Sequence, residues 1–151
     1  MIRIYTDGAA QGNPGPGGYG TILKFGGHVK ELSQGFRLTT NNRMELLAVI
    51  AGLEALKKSG IPVTIFSDSK YVVDAITQGW LWNWQKKNFA NKANVDLWLR
   101  YIPLHNKFNP KLVWIKGHAG HPENERCDVL AVQAATGRPL QVDTEYERSE
   151  K

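Results

Sequence analysis

The chain has almost no cysteine: Cys127 stands alone, so neither an internal disulfide nor a multi-cysteine zinc site can form. A reducing, cytoplasmic compartment is the expected setting. No run approaches the ~18–20 apolar residues a membrane span needs. Met1 leads straight into Ile2-Arg3-Ile4-Tyr5-Thr6-Asp7, with no apolar leader. No Gly-Lys-Ser/Thr follows the glycine-rich residues 12–20, which excludes a nucleotide-binding P-loop. Nor does any Ser-His-Asp or Cys-His order suggest a covalent nucleophile. Acid is scarce in one region. Across residues 79–116 only Asp96 stands against Lys86, Lys87, Lys92, Arg100, Lys107, Lys111 and Lys116.

What is present is an ordinary soluble composition, 42% hydrophobic and 22% charged over 151 residues. That length suits one domain, burying roughly two-thirds of its unfolded surface. The net charge of +5 and the pI near 9.4 favour a polyanionic partner. All five tryptophans (Trp80, Trp82, Trp84, Trp98 and Trp114) fall in the acid-poor region. Cations for phosphates and flat rings for sugars or bases suit nucleic acid better than a small acidic ligand.

Residues 2–10 read as a strand and residues 12–18 as a turn-rich loop. Residues 19–25 and 28–38 form a hairpin around Gly26-Gly27. Thr39-Thr40-Asn41-Asn42 is a run of capping residues, followed by Met44, Leu47, Ala48, Ala51 and Ala55 at helical spacing. The spacing predicts a helix ended by Lys57-Lys58-Ser59-Gly60. A buried strand over 62–66 follows, then a helix capped by Ser67-Asp68-Ser69 and running to about Thr77. Helices are expected over 80–87 and 93–105, and a strand over 111–115. The last helix, 122–135, turns Cys127, Leu130, Ala131 and Ala134 inward. This order implies an α/β fold whose mixed sheet of about five strands has a parallel portion covered by helices. From Gly137 the charges are mixed and apolar periodicity is weak, so a flexible tail without assigned function is expected.

Four acids stand where such a fold could gather them. Asp7 lies near the end of the first strand, and Asp68 follows the fourth. Parallel neighbours would present both at one carboxyl edge. Glu45 falls in the first turn of its helix, and Asp128 about two turns into the last one, one turn beyond Asn124. Converging carboxylates repel, and hard divalent cations relieve the conflict. Two Mg²⁺ about 3.5–4 Å apart would suit phosphodiester hydrolysis. Singly, each acid has a plain structural reading: a turn acid at Asp7, half a capping box at Glu45, an N-cap at Asp68, an exposed helix acid at Asp128.

The blocks Tyr5-Thr6-Asp7-Gly8, Thr40-Asn41-Asn42-Arg43-Met44-Glu45-Leu46, Ser67-Asp68-Ser69 and Trp114-Ile115-Lys116-Gly117-His118-Ala119-Gly120-His121-Pro122-Glu123-Asn124-Glu125-Arg126-Cys127-Asp128 resemble the motifs of bacterial type 1 ribonuclease H, in order and nearly in spacing. The resemblance covers residues 1–136. It implies a ribonuclease H-like fold of strand order 3-2-1-4-5, with a catalytic domain over 1–136, a basic protrusion near 80–98 and a tail over 137–151. It also implies an endonuclease that hydrolyses the RNA strand of RNA–DNA hybrids, leaving 5′-phosphate and 3′-hydroxyl ends. Such an enzyme would work as a monomer, with no obligate protein partner. Asp7, Glu45, Asp68 and Asp128 match the family's two-metal set, which takes Mg²⁺ with Mn²⁺ as a substitute. His118 matches a loop histidine beside the site that takes up a proton or assists product departure. Asn124 would orient that loop or a water, and His121 is read as structural.

For substrate, the resemblance places Gly8, Asn41 and Glu45 along the RNA minor groove, where the 2′-hydroxyl distinguishes RNA from DNA. Asn13, Thr40 and Asn42 match contacts to the DNA strand, with Thr40 in a phosphate pocket. Trp80, Trp84 and Trp98 match the tryptophans of the protrusion, and Phe89 a further aromatic. Lys86, Lys87 and Lys92 would add salt-sensitive grip. Trp114 and Trp82 are expected in the core. Two departures stand out. Residues 88–93 are shorter and less basic than in the best-known members, and Lys70 replaces an expected uncharged amide near the RNA. The rivals are a DNA nuclease on the same sheet and a non-catalytic hybrid-binding module. The intact Thr-Asn-Asn-Arg-Met-Glu block opposes the first, and four retained carboxylates oppose the second.

Overall fold

The computed structural model describes residues 1–117 and 120–149, so His118 lies outside the described residues. Strand β1 (Ile2–Ala10) pairs antiparallel with β2 (Gly15–Phe25), and β2 with β3 (His28–Thr39) across the Gly26-Gly27 turn. β2 starts at Gly15 rather than at Tyr19, because its glycines join the ladder opposite Ala9 and Ala10. Helix α1 (Asn41–Glu54) follows the capping run. Its N-cap is Thr40, whose hydroxyl accepts from Arg43 N. The helix stops well before Gly60, because the chain must turn back to seat Pro62 beside Ile2, whose N–H bonds the Pro62 carbonyl at 2.8 Å.

β4 (Val63–Ser67) then runs parallel to β1, in register from Ile2–Val63 to Thr6–Ser67. Helices α2 (Lys70–Thr77), α3 (Trp80–Lys86) and α4 (Val95–Phe108) precede β5 (Lys111–Trp114), which is parallel to β4. Helices α5 (Pro122–Thr136) and α6 (Thr144–Ser149) complete the described chain. The sheet order is β3-β2-β1-β4-β5, as the resemblance implies.

Helix α1 covers one face of the sheet over a core that includes Ile4, Leu46, Ile50, Leu53 and Ile65, all without exposed surface. Thr21 on β2 donates to the Ala48 carbonyl at 2.8 Å, tying strand to helix. Helix α5 covers the other face over a smaller cluster, Ile22, Cys127 and Leu130 with Tyr5. Its approach depends on Gly20. A Cβ there would overlap the Cys127 carbonyl oxygen and lie 2.7 Å from Leu130 Cβ. Gly20 is the register partner of Asp7, so the same close packing sets how near α5 carries Asp128 to Asp7. Gly20→Ala should cost about 1–3 kcal/mol by overpacking. Urea unfolding measures it; an unchanged midpoint would mean that α5 lifts freely.

The segment after Gly137, read from the sequence as a tail without assigned function, packs against β3 and Arg43. Gln141 bridges to Phe36 through Gln141 N to Gly35 O (2.8 Å) and Arg37 N to Gln141 O (2.9 Å). Asp143 is buried and accepts from Thr39 Oγ1 and from Arg43 Nε and Nη2. The same guanidinium donates to both oxygens of Asp96 at 2.9 and 2.8 Å. Burial pulls the Arg43 pKa down, and the two carboxylates more than reverse it. The partners lie 53 and 100 residues away along the chain, which is why no local pattern showed the network.

Candidate active site

Three of the four acids meet. Asp7 and Asp68 each follow the last register pair of β1 and β4, Thr6–Ser67, so adjacent parallel strands deliver them side by side. Glu45 arrives from α1, and Gly8 lets it come close. A Cβ on Gly8 would overlap Glu45 N and lie 2.5 Å from the Met44 carbonyl carbon. Gly8 does not have a positive φ, so glycine is needed there for helix approach rather than for a turn. One carboxylate oxygen each from Asp7, Glu45 and Asp68 lies within 4.8 Å of the others. With Thr40 as N-cap, Glu45 falls just past the first turn and Arg43 occupies the N3 position, which excludes the capping-box reading.

The electrostatics of this group are those of charge without relief. Burial, then repulsion from Asp68, pushes the Asp7 carboxyl up to about 7, although Gly8 N–H donates to its Oδ1 at 2.9 Å. Burial, then repulsion from Asp7 and Asp68, lifts Glu45 well above the usual carboxylate range. Among the described residues, Glu45 Oε1 and Asp68 Oδ1 are buried acceptors with no hydrogen-bond partner. Among the described residues no lysine or arginine forms an ion pair with any of the three. Buried acceptors left bare are costly. A hard divalent cation, which prefers several oxygen ligands, fits this donor set and removes both the repulsion and the deficit.

Asp128 stands outside the close group, half-buried on α5, near enough for its charge to add to the repulsion on Asp7. Asn124, one turn earlier, is 3% exposed, and its Nδ2 has no partner among the described residues.

The expected substrate contacts divide by exposure. Asn41 and Asn42 are exposed at the start of α1. Asn13, also exposed, accepts from Asn41 N through its Oδ1 (3.0 Å), which leaves its NH₂ group for other partners. Thr40 is half-buried, with its hydroxyl engaged as the cap. Lys70 is exposed at the first residue of α2. Trp80 is 45% exposed, and Lys86 and Lys87 are exposed at the end of α3. Trp84 is half-buried, with Lys92 Nζ 5.0 Å above its ring.

Two of the tryptophan expectations are overturned. Trp98 is fully buried and cannot touch a substrate directly. Its position in α4 turns it inward with Tyr101, and its indole N–H donates to Tyr71 Oη at 3.0 Å. It packs edge to face against Trp84 at 5.9 Å and supports that ring from beneath; Phe89, also buried, is a second inward aromatic. Trp114, expected in the core, is 42% exposed, because β5 is an edge strand with an open flank. Trp82 is half-buried, edge-on to His105 at 5.0 Å. Tyr71 escaped the sequence reading: its hydroxyl gathers Trp98 and Asn94 Nδ2, and nothing local to α2 signals that role.

The sequence model of the RNase H family matches residues 1–136. Proteins named ribonuclease H from Syntrophus aciditrophicus and Desulforamulus reducens are 55% and 56% identical to this chain. These matches cover 97% and 94% of it, and 87% and 92% of the two relatives. Among solved structures, LC9-RNase H1, a type 1 RNase H with the type 2 active-site motif, matches with a TM-score of 0.80 at 31% identity. That match covers 98% of this chain and 79% of the other. LC11-RNase H1, solved in complex with an RNA/DNA hybrid, matches with a TM-score of 0.69 at 28% identity over 89% and 96% of the two chains.

Proposed function

This chain belongs to the ribonuclease H family, and from that premise we propose that it is the endonuclease that cuts the RNA strand of RNA–DNA hybrids, leaving 5′-phosphate and 3′-hydroxyl ends. The observation that carries the reading is the meeting of Asp7, Glu45 and Asp68 around buried, unpartnered acceptors. Two Mg²⁺ ions, with Mn²⁺ as a substitute, would supply activation of the attacking water and neutralisation of the leaving oxygen. Asp7 and Asp68 would hold them from the sheet edge and Glu45 from α1, with Asp128 approaching from α5. His118 would take up a proton or assist product departure, and Asn124 would orient its loop or a water.

The hybrid would lie across the exposed start of α1, with Gly8 and Asn41 toward the RNA and Asn13, Thr40 and Asn42 toward the DNA. Lys70 adds a phosphate contact. The protrusion over 80–98 grips through Trp80, Trp84, Lys86 and Lys87, with Trp98 acting only through Trp84. The solved complex of LC11-RNase H1 with a hybrid supports this choice of partner. Residues 1–136 form the catalytic domain in this reading. A cytoplasmic setting suits the buried free thiol of Cys127, and this reading takes the protein as a monomer without an obligate protein partner. No helix of the described residues is long and apolar enough to cross a membrane.

Incubation with matched RNA–DNA, RNA–RNA and DNA–DNA duplexes in Mg²⁺ tests the proposal. Only the RNA strand of the hybrid should be cut. DNA–DNA cutting with the hybrid left intact would overturn it in favour of a DNA nuclease.

A further inference from the structure

We propose that Trp114 is a positioning residue for Asp68, holding the peptide that aims its carboxylate toward Asp7 and Glu45. The inference rests on the assignment of Asp68 above. Asp68 lies between the end of β4 and the N-cap of α2, where neither strand nor helix fixes its backbone. The neighbouring peptides are tied: Ser67 O accepts from Ile115 N at 2.9 Å, and Ser69 N donates to Ser67 Oγ at 3.0 Å. The Asp68 carbonyl itself accepts from the Trp114 indole N–H at 3.1 Å.

That bond crosses from the adjoining parallel strand, because Trp114 is the register partner of Ser67. Lys70 Nζ lies 4.8 Å over the indole and clamps the ring against the chain it holds. A large aromatic left 42% exposed on an edge strand, yet with its single donor bound to the Asp68 carbonyl, is poorly explained by core packing. The turn after β5 meets Asp68 a second time. A Cβ on Gly117 would lie 2.8 Å from Asp68 Oδ2. Edge strand and turn thus bracket Asp68, one at its carbonyl and the other at its carboxylate.

A group that orients a metal ligand sets metal affinity more than substrate affinity. Trp114→Phe keeps a flat ring under Lys70 and removes the N–H. Calorimetric titration of the whole protein with Mn²⁺, without substrate, should show about tenfold weaker binding. Under subsaturating metal, kcat for the hybrid should fall similarly, with KM within about twofold of the parent. The thermal midpoint in chelator should stay near that of the parent, which a purely structural role would not give. Parental Mn²⁺ affinity in Trp114→Phe overturns the proposal.

If that variant fails to fold, Gly117→Ala displaces Asp68 from the other side and must weaken Mn²⁺ binding too; unaltered affinity there is equally fatal. Asp68→Asn separates the two levels. If it binds Mn²⁺ like the parent, the site assignment fails. If it loses binding while Trp114→Phe does not, only the positioning role fails.

Discussion

Asp7→Asn should abolish hybrid cleavage, lowering kcat at least about a thousandfold, or roughly 4 kcal/mol of barrier, while hybrid affinity stays within about twofold. The substitution is nearly isosteric, and the amide oxygen can still accept from Gly8 N as Oδ1 does now. What disappears is one negative charge and one ligand-grade oxygen from a group whose members lie within 4.8 Å of one another. Asp7 is also the member that meets acids from every side, Glu45 and Asp68 nearby and Asp128 from α5. Grip on the duplex comes from elsewhere: the exposed start of α1, and Trp80, Trp84 and the lysines of the protrusion. Single-turnover cleavage and fluorescence anisotropy on the same hybrid measure the two effects apart. Undiminished cutting removes Asp7 from the mechanism. Loss of cutting and binding together would mean that the variant has damaged the fold.

The legible part of this site was the part written in short, dense motifs. Asp7 and Asp68 were placed by strand ends, because parallel neighbours bring such residues to one edge once the strands are recognised. Glu45 was placed by its helix, although the capping pattern admitted a bland alternative until Thr40 took the N-cap role. Spacing alone could not show that Gly8 serves helix approach, since that needs the position of α1 relative to β1. The tryptophans were less readable. Helical spacing marks which residues share a face, yet it does not say whether that face meets a neighbouring helix or solvent. Trp98 passed for a contact residue because it matches a tryptophan of the protrusion, and Trp114, on a strand, passed for core; the structure reverses both. Long-range ion pairs were invisible for the same reason. Arg43, Asp96 and Asp143 meet only after α1, α4 and the residues past Gly137 are packed together.

In chelator, Asp7→Asn should be the more stable protein at pH 8, by about 2–4 kcal/mol, and its advantage should vanish near pH 4. The direction follows from the raised Asp7 carboxyl, held up to about 7 by burial and by Asp68. The unfolded chain releases that proton near ~4, so between the two values the folded state holds a proton that the unfolded state has lost. Unfolding then releases a proton, and stability falls as pH rises through this window. Below it both states are protonated and Asp7 contributes no difference; above it the full repulsion is present. Asp7 is only 6% exposed, so solvent screens little of the effect. Glu45, also raised, pushes the same way, whereas Asp96 pushes the opposite way, held below its usual range despite burial because Arg43 pairs with it. The quantity to read is therefore the difference between parent and variant across pH in urea unfolding, not either curve alone. Divalent cation should reverse the sign, because it binds the ionised cluster and stabilises only the form that has ligands for it. Mg²⁺ should raise the parent's midpoint more at pH 8 than at pH 6, and should scarcely move that of Asp7→Asn. A variant less stable than its parent at pH 8 in chelator would show that the three carboxylates do not strain the fold.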